Sequence, residues 1–299
     1  MKQVLLFLHR WVAVIFSIPL TVLILTGLIL SFEPIAHLTA GRAVESGLLT
    51  AILKKHDPND TAKRLVYRNY DGSVELDFAT KPPIIVDVAS NEVRPARGSL
   101  ARLFETARAL HQTLMLDLRW LVIASTAAMA ALVLAGILMG LPRRSWSLGG
   151  WHRVSAWVAL PMLVMLPVTG LLMSFGITLN GVSMSRPPNA PPMPPVSVAR
   201  AVRQAGNDGL LQDMVWLRAG SPRPMLRHME GVGFQGYFVM ANRSMTAPRN
   251  WPRALHEGLW IGAWSCLLNA LASLVLLGLL VTGLLLWLRR RGSPAPDTR

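Results

Sequence analysis

Two stretches of the chain decide its fold: HRWVAVIFSIPLTVLILTGLILSF at residues 9–32 and HRVSAWVALPMLVMLPVTGLLMSF at residues 152–175. Both begin with His-Arg, both carry Thr-Gly from the seventeenth residue after the histidine, and both end with Ser-Phe. After the arginine neither stretch contains an acid or a base, and each is long enough to cross roughly 30 Å of hydrocarbon at about 1.5 Å per residue. We therefore expect two related membrane-spanning helices.

The whole composition is typical of a membrane protein, with 52% hydrophobic residues, 15% charged residues and a mean hydropathy of +0.39. The first apolar run is too long for a secretory signal, and no small-x-small cleavage site follows it, so we expect it to remain as a helix. Four segments are long enough to span a bilayer: residues 11–32, 120–141, 154–175 and 259–288.

Orientation follows from the short basic segments, because long loops cross a membrane almost regardless of charge. Residues 1–10, the link with Arg143, Arg144 and Arg153, and the run 289–291 are basic and contain no acid. These segments predict that both termini are cytoplasmic. The loops 33–118 and 177–258 then face the periplasm, and the protein lies in the bacterial inner membrane.

The net charge of +14 is unevenly distributed between the two loops. Residues 33–118 contain eleven basic and eleven acidic residues, whereas residues 177–258 contain nine arginines and four acids. Without interleaved aromatic and basic residues this pattern argues against nucleic-acid binding, and we expect no nucleic-acid partner. The second loop either attracts an anionic small molecule or is solvated surface. Cys266 is the only cysteine, which excludes disulfides, thiolate metal sites and covalent haem attachment through C-x-x-C-H.

The second helix of each half also repeats, because RALH occurs at residues 108–111 and at 253–256. His9 precedes His111 by 102 residues, and His152 precedes His256 by 104 residues. Both halves start in the cytoplasm, so we expect a duplication with a parallel pseudo-two-fold axis along the membrane normal. The predicted fold is a membrane all-α four-helix bundle with two small α+β extracytoplasmic domains.

This symmetry pairs His9 with His152 near the inner face and His111 with His256 near or just beyond the outer face. A single histidine at a helix end is usually solvated or hydrogen-bonded, but His37, His56 and His228 do not recur as these four do. Imidazoles without thiolate or carboxylate partners suit copper, zinc or haem iron. Haem is favoured because a macrocycle supplies the remaining ligands to a pair of histidines.

Arginines and glycines near the four histidines are further candidates for cofactor binding. The arginines would pair with haem propionates, although the inner two also serve as ordinary positive-inside anchors. A helix returns to the same face after eighteen residues, so each glycine lies on the face of its histidine and leaves room for a flat ligand or a close helix. The candidates are Arg10, Arg153, Arg108, Arg253, Gly27 and Gly170. Threonines 26, 169 and 282, with Asn269 and Ser265, are interpreted as helix-packing contacts.

Each outer loop predicts one helix and a short antiparallel sheet. In the first loop a helix at 43–55 precedes strands at 64–69, 74–78 and 84–88, with an Asp-Gly turn at 71–72. In the second loop a helix at 196–205 precedes strands at 214–217, 225–228 and 236–240. The predicted segments are helix 1 (1–32), a first periplasmic domain (33–100), an extended helix 2 (101–141), a cytoplasmic link (142–151), helix 3 (152–176), a second periplasmic domain (177–253) with a proline-rich linker (186–195), an extended helix 4 (254–291) and a cytoplasmic tail (292–299).

These motifs together resemble the PepSY-associated transmembrane proteins. The resemblance rests on the HR…TG pattern, the two LH pairs, VDVASNEV at 86–93 and TGLLLWLRRR at 282–291, and it covers nearly the whole chain. That family includes inner-membrane ferric-siderophore reductases with two b-type haems between four helices. The resemblance implies PepSY-like outer domains and implies that His9, His111, His152 and His256 are the axial ligands of two haems b. Without a fused flavin or nicotinamide domain, the electron donor would be a cytoplasmic reductase or a membrane quinol.

We therefore expect an oxidoreductase that carries electrons across the membrane to a ferric siderophore or chelate. If each second helix were straight, the two histidine levels would lie roughly 35 Å or more apart, less any shortening by kinks at Pro19, Pro161 and Pro167. Two alternatives remain. A non-redox accessory protein would bind an envelope protein or peptidase through its outer domains, and a transport component would carry metal or chelate.

Overall fold

The computed structural model describes residues 2–41, 44–141, 145–179, 196–219, 224–230, 233–240 and 243–291. The predicted linker 186–195, the tail 292–299 and Arg143 and Arg144 lie outside these described residues. In chain order the described elements are α1 (Lys2–Ile15), α2 (Ser17–Leu30), α3 (Glu33–Ala40), α4 (Ser46–His56), β1 (Ala62–Arg68), β2 (Ser73–Phe78), β3 (Ile84–Asp87), β4 (Val93–Arg94), α5 (Ser99–Thr113), α6 (Arg119–Leu138), α7 (Leu148–Val158), α8 (Leu160–Ser174), α9 (Val198–Asn207), β5 (Met214–Arg218), β6 (Met225–Glu230), β7 (Gly233–Val239), β8 (Ser244–Thr246), α10 (Trp251–His256) and α11 (Ala263–Arg291).

Among the described residues, three helical stretches are long and apolar enough to cross a membrane: Ser17–Ala40, Arg119–Leu138 and Ala263–Arg290. The pair α7 and α8 is a fourth if its two bent parts count as one span. The protein is therefore a membrane protein with an apolar helical part and a separate sheet. Within the helical part α2 packs on α11, α6 packs on α8 and on α1, and α7 packs on α11.

One of the predicted helices bends next to a proline, and another is interrupted near one. The axes of α7 and α8 differ by 66° at Ala159, and Pro161 is the second residue of α8. Proline cannot donate the hydrogen bond that would join it to the preceding turn, so this bend lies where the backbone ladder is already broken. The first predicted span is interrupted at Phe16, three residues before Pro19.

The predicted extended helices 2 and 4 are each interrupted. Between α5 and α6, Leu114, Met115 and Asp117 have positive φ angles of 53°, 60° and 55°. Between α10 and α11, Gly258 and Gly262 have φ angles of 69° and 80°. Left-handed residues end a helix, so α5 and α10 are free to take positions that a straight continuation of α6 and α11 would not give them.

Polar side chains of α11 stabilise the second interruption. Ser265 Oγ donates a hydrogen bond of 2.7 Å to the carbonyl of Gly258, and Asn269 Nδ2 donates one of 2.7 Å to the carbonyl of His256. Both carbonyls lie at the end of α10, where helical partners are missing. The sequence interpretation of these two residues as packing contacts therefore becomes more specific: they hold α10 against α11.

The chain outside the apolar helices contains one continuous sheet of eight described strands in the order β4-β3-β2-β1-β5-β6-β7-β8, which we call the outer sheet. Its halves join through antiparallel pairing of β1 with β5, where Leu65 lies opposite Leu217. The helices α4 and α9 pack on the same face and share one core with the strands. Two separate small domains were predicted, and the structure instead joins the two sets of strands. Pairing β1 with β5 satisfies the backbone groups of two strand edges that would otherwise be exposed.

On the face of the sheet away from that core, a cluster of ion pairs connects β1 and β2 with α5. The buried Arg68 side chain donates hydrogen bonds of 2.7 Å to Glu75 and to Glu105, and Arg97 Nη2 donates one of 2.6 Å to Glu75. Burial raises the pKa of Glu75, but the hydrogen bonds from Arg97 and the charge of Arg68 outweigh it, so the pKa of this carboxyl is lower than usual. The cluster fixes the sheet to the helix that carries His111.

Candidate functional site

The structure brings the four histidines together in two pairs. The ring centres of His111 in α5 and His256 in α10 are 6.0 Å apart, and their planes differ by 51°. The ring centres of His9 in α1 and His152 in α7 are 6.4 Å apart, and their planes differ by 88°. We call these the outer pair and the inner pair.

The His111 ring rests on α2, where two oxygen atoms lie close to its Nδ1. Its Nδ1 lies 3.0 Å from the Thr26 hydroxyl oxygen and 3.1 Å from the Leu23 carbonyl oxygen. The Thr26 hydroxyl donates its own proton to the Val22 carbonyl at 2.7 Å. Both groups near Nδ1 therefore act as acceptors, which assigns the ring proton to Nδ1 and leaves a free lone pair on Nε2.

Gly27 completes this arrangement, because a Cβ added there would lie 3.3 Å from Cε1 of His111. That distance is shorter than ordinary carbon contacts of about 3.5–4.0 Å. The glycine therefore allows the imidazole to lie directly on the backbone of α2. We call a Leu-x-x-Thr-Gly stretch that receives an imidazole in this way a seat, and we use the same name for the corresponding Leu-x-x-Ala-Gly stretch of α6.

The His256 ring occupies an equivalent seat on α8. Its Nδ1 lies 3.1 Å from the Thr169 hydroxyl oxygen and 3.1 Å from the Leu166 carbonyl oxygen, and Thr169 donates its proton to Met165 at 2.7 Å. A Cβ added at Gly170 would lie 3.2 Å from Cε1 of His256. The same assignment follows, with the proton on Nδ1 and Nε2 free.

The inner pair is less symmetric. The Nδ1 of His152 lies 2.8 Å from the Thr282 hydroxyl oxygen, which donates to the Gly278 carbonyl at 2.7 Å. A Cβ added at Gly283 would lie 3.6 Å from Cε1 of His152. By contrast, the Nδ1 of His9 is buried and has no hydrogen-bond partner among the described residues.

The seats share a sequence pattern that could have been found by aligning the four helices. Leu-x-x-Thr-Gly occurs at residues 23–27, 166–170 and 279–283, and Leu-x-x-Ala-Gly occurs at 132–136 in α6. The threonines were predicted to be helix-packing contacts, and the structure makes three of them acceptors for imidazole protons. Each seat lies on a helix other than that of its histidine, so only the fold reveals which threonine serves which ring.

Gly27 and Gly170 do make room for a ring, but for a different one from that expected by helical periodicity. They were predicted to lie on the faces of His9 and His152, eighteen residues earlier on the same helices. In the structure they contact His111 and His256 from other helices. The interruption at Phe16 and the bend at Ala159 break the straight-helix periodicity on which that expectation depended.

The outer pair lies closer to the inner pair along the helices than straight helices would place it. Thr169 precedes the end of α8 at Ser174 by five residues, so His256 lies about 8 Å inside the end of that helix. Along α7 and α8, the stretch from His152 to Thr169 spans roughly 20–25 Å after allowance for the 66° bend. This replaces the expected separation of roughly 35 Å or more, because α5 and α10 are not straight continuations of α6 and α11.

The distances within both pairs fit two imidazoles on opposite sides of one metal ion. With a metal–nitrogen bond of about 2.0 Å and a ring centre about 1.1 Å behind each nitrogen, the ring centres would be about 6.2 Å apart. The observed separations are 6.0 and 6.4 Å. Either angle between the ring planes is acceptable, because each ring can rotate about its metal–nitrogen bond.

The donor set favours haem iron over a metal ion held by protein ligands alone. In the part of the chain that the structure describes, no group of three or more His, Cys, Asp or Glu side chains could hold a metal ion. A pair of imidazoles meets the needs of haem iron, because the macrocycle provides the other ligands. Copper and zinc sites require more protein ligands than each pair offers.

The outer arginines have carboxylate partners in the structure. Arg108 is paired with Glu33, and Arg253 Nε lies 3.5 Å from Glu257, which also receives a hydrogen bond from Arg227 of β6. The sequence interpretation singled out neither glutamate. With about a third to a half of their side chains exposed, Arg108 and Arg253 also keep donors for a further anionic partner.

The inner arginines differ from the outer ones. Arg153 is exposed and donates a hydrogen bond of 3.1 Å to the Gly149 carbonyl of its own helix. Arg10 is half-buried at the start of the chain, next to His9. Neither forms an ion pair within the described ranges.

Comparison with protein families identifies the chain. The model of the PepSY-associated TM region matches residues 6–290, which include all four histidines, all four seats and the whole outer sheet. A search of curated proteins found no match. The chain therefore belongs to the family of the PepSY-associated transmembrane region.

Proposed function

We propose that this protein is a di-haem b electron-transfer protein of the bacterial inner membrane that reduces a ferric siderophore or another ferric chelate in the periplasm. It would be an oxidoreductase, with His9 and His152 as one ligand set and His111 and His256 as the other. Its electron donor would be a cytoplasmic reductase or a membrane quinol. The proposal includes a four-helix membrane bundle made of two parallel, duplicated halves.

Two observations on the imidazole rings support the proposal together: the partners of their Nδ1 atoms and the distance between the rings of each pair. Three of the four imidazoles have Nδ1 next to acceptors only, so their Nε2 atoms are available as ligands. The rings of each pair are separated by the distance that one intervening metal ion requires. The pair of His111 and His256 meets both conditions. In the pair of His9 and His152, the ring separation is met and His152 alone has its Nδ1 next to an acceptor.

Each group of residues has a defined part in this proposal. The histidines bind iron, the threonines and carbonyls of the seats orient the rings, and the glycines let the rings approach the helices. Arg108 and Arg253, next to the outer pair, would bind propionates as charge-assisted partners, and Arg10 and Arg153 would do so at the inner pair. When bound, haem would supply the one-electron chemistry, and the chain supplies ligation, spacing and electrostatics.

The direction of the reaction follows from the proposed topology. Basic segments at residues 1–10, 142–153 and 289–291 favour cytoplasmic termini, which leaves the sheet in the periplasm. The arginine excess of residues 177–258 would attract an anionic chelate to that side. Ferrous iron binds such chelates weakly, so reduction would release the metal.

A visible spectrum tests the ligand assignment. We expect purified protein to show two b-type haems in oxidised and dithionite-reduced spectra, and His→Ala at any one of the four positions to remove about half of the haem. Full haem in all four variants would refute the assignment. Colourless wild-type protein would favour a non-redox accessory role, in which the outer sheet binds an envelope protein or peptidase.

Reduction of the chelate is tested separately. Protein reconstituted in liposomes, with a reductant enclosed on the side of the termini, should reduce an external ferric hydroxamate or catecholate chelate, detected by a ferrous-iron indicator. The His111→Ala variant is the matched control. Equal rates for the two proteins would rule out the proposed route.

A further inference from the structure

The four seats are not equivalent, because one lacks its hydroxyl group. The position that Thr26, Thr169 and Thr282 occupy in three seats is Ala135 in the seat on α6. A Cβ added at Gly136 meets none of the described atoms within 4 Å. A Cβ added at any of the other three seat glycines would lie 3.2–3.6 Å from an imidazole carbon. His9, which pairs with His152, therefore lacks both features that hold the other rings.

The missing hydroxyl leaves the backbone carbonyl of Leu132 as a partner for the buried Nδ1 of His9. By distance and angle, however, Nδ1 forms no hydrogen bond within the described ranges. At the other seats a threonine oxygen accepts the Nδ1 proton at 2.8–3.1 Å. A buried donor without a well-formed hydrogen bond costs free energy, and the orientation of this ring lacks the hydroxyl contact that fixes the other three.

Hydrogen bonds of this kind also change how well an imidazole binds a metal. Donation from Nδ1 makes the ring a stronger ligand and fixes its orientation, and loss of such a partner typically lowers metal affinity by about 10–100-fold. His152, with Thr282, keeps the full interaction on the other side of the inner pair. The two rings of the inner pair therefore differ in strength, whereas those of the outer pair are matched.

We propose that His9 is the weakly held, exchangeable ligand of the inner pair, and that this position accepts small neutral ligands with a lone pair, such as carbon monoxide or free imidazole. The inference rests on the proposed function. With haem bound, His9 Nε2 would be the ligand given up, and the lone pair of the entering ligand would form the bond that replaces it, without transfer of an electron. His111 and His256, each held by its threonine, would keep their places.

Carbon monoxide added to dithionite-reduced, full-length protein tests this inference. We expect about half of the haem to change its Soret spectrum, and His111→Ala, which removes outer haem, to retain this reactive half. Ala135→Thr supplies the missing hydroxyl and should slow carbon monoxide binding by about tenfold or more. Ala135→Ser is the second choice if the larger side chain prevents folding.

The control and a second readout separate ligand strength from general disturbance. Leu134→Thr adds a hydroxyl to the adjacent position, whose side chain is 56% exposed, and should leave the rate unchanged. Haem transfer to apomyoglobin should be biphasic in the wild type, and Ala135→Thr should slow the faster phase.

The outcomes distinguish this inference from the proposed function. Protein without haem would overturn both. Protein with two haems that require the four histidines, but that bind carbon monoxide at neither site or equally at both, would overturn the exchangeable ligand alone. An unchanged rate in Ala135→Thr and in Ala135→Ser would do the same.

Discussion

Replacement of Gly170 by valine should disrupt the outer pair selectively. A Cβ at this position would lie 3.2 Å from Cε1 of His256 and 3.4 Å from Cγ2 of Thr126. Ordinary carbon contacts are about 3.5–4.0 Å, and the valine methyl groups extend beyond Cβ, so the ring cannot keep its place on α8. The methyl group of Thr126 further limits the space for the new side chain.

The magnitude follows from the cost of overpacking. Forcing extra methyl groups into a packed site costs about 1–3 kcal/mol, and about 1.4 kcal/mol corresponds to a tenfold change in an equilibrium constant. We therefore expect the outer site to bind haem about 5–150-fold more weakly in Gly170→Val, with the inner site unchanged. The assay is the haem-to-protein ratio during titration with haem, with the His111→Ala variant marking the outer contribution.

Gly278→Val is the matched control. Gly278 is also a helical glycine, it is exposed, and a Cβ added there meets none of the described atoms within 4 Å. The same change in side chain should therefore leave haem binding intact. The reasoning fails if Gly170→Val binds two haems as tightly as the wild type, or if Gly278→Val loses as much haem.

Two further changes test the seats and the outer sheet. Thr169→Val removes the hydroxyl that accepts the His256 proton but keeps the Leu166 carbonyl at 3.1 Å. We therefore expect haem affinity to fall by an amount near the lower end of the usual range of about 10–100-fold, measured by haem titration with Thr113→Val as the control. Unchanged affinity would mean that the carbonyl alone orients the ring. The low pKa of Glu75 stabilises the sheet above the unfolded carboxyl pKa of about 4.3, and this stability is lost as the pH falls through the lower folded value. Protease resistance of the outer sheet should therefore decline as the pH is lowered below about 4, and Glu75→Gln should weaken that pH dependence. The neighbouring Asp77 has a pKa raised first by burial and then by the charge of Glu75, so its protonation offsets part of the effect; identical pH profiles for the two proteins would contradict the role of Glu75.

Much of the membrane part could be predicted from the sequence, because each apolar segment is a local property. Hydrocarbon requires helices whose backbone groups are satisfied within the segment, so uncharged runs of about 20 residues identify spans without knowledge of their neighbours. The interruptions were harder to predict. Leu114 and Met115 adopt left-handed conformations that their residue types do not favour, so these two positions did not mark the end of α5 in the sequence.

In the outer sheet, too, the individual strands could be predicted from the sequence, but the pairing between distant strands could not. Alternation and the Asp-Gly turn predicted strands where β1, β2 and β3 occur, since strand patterning is also local. The pairing of Leu65 with Leu217 joins residues more than 150 positions apart in the chain. No local pattern encodes it, and two separate domains were the simpler prediction.

The sequence by itself determined the spans, the internal repetition and the four histidines that recur in it, because these depend on composition and spacing along the chain. Only the tertiary structure decided which threonine accepts the proton of which imidazole and that Gly27 and Gly170 face the outer pair. It also decided that, of the four paired histidines, His9 is the one without a hydroxyl partner among the described residues. These contacts form between helices, and their geometry depends on the breaks and bends that set how the helices meet.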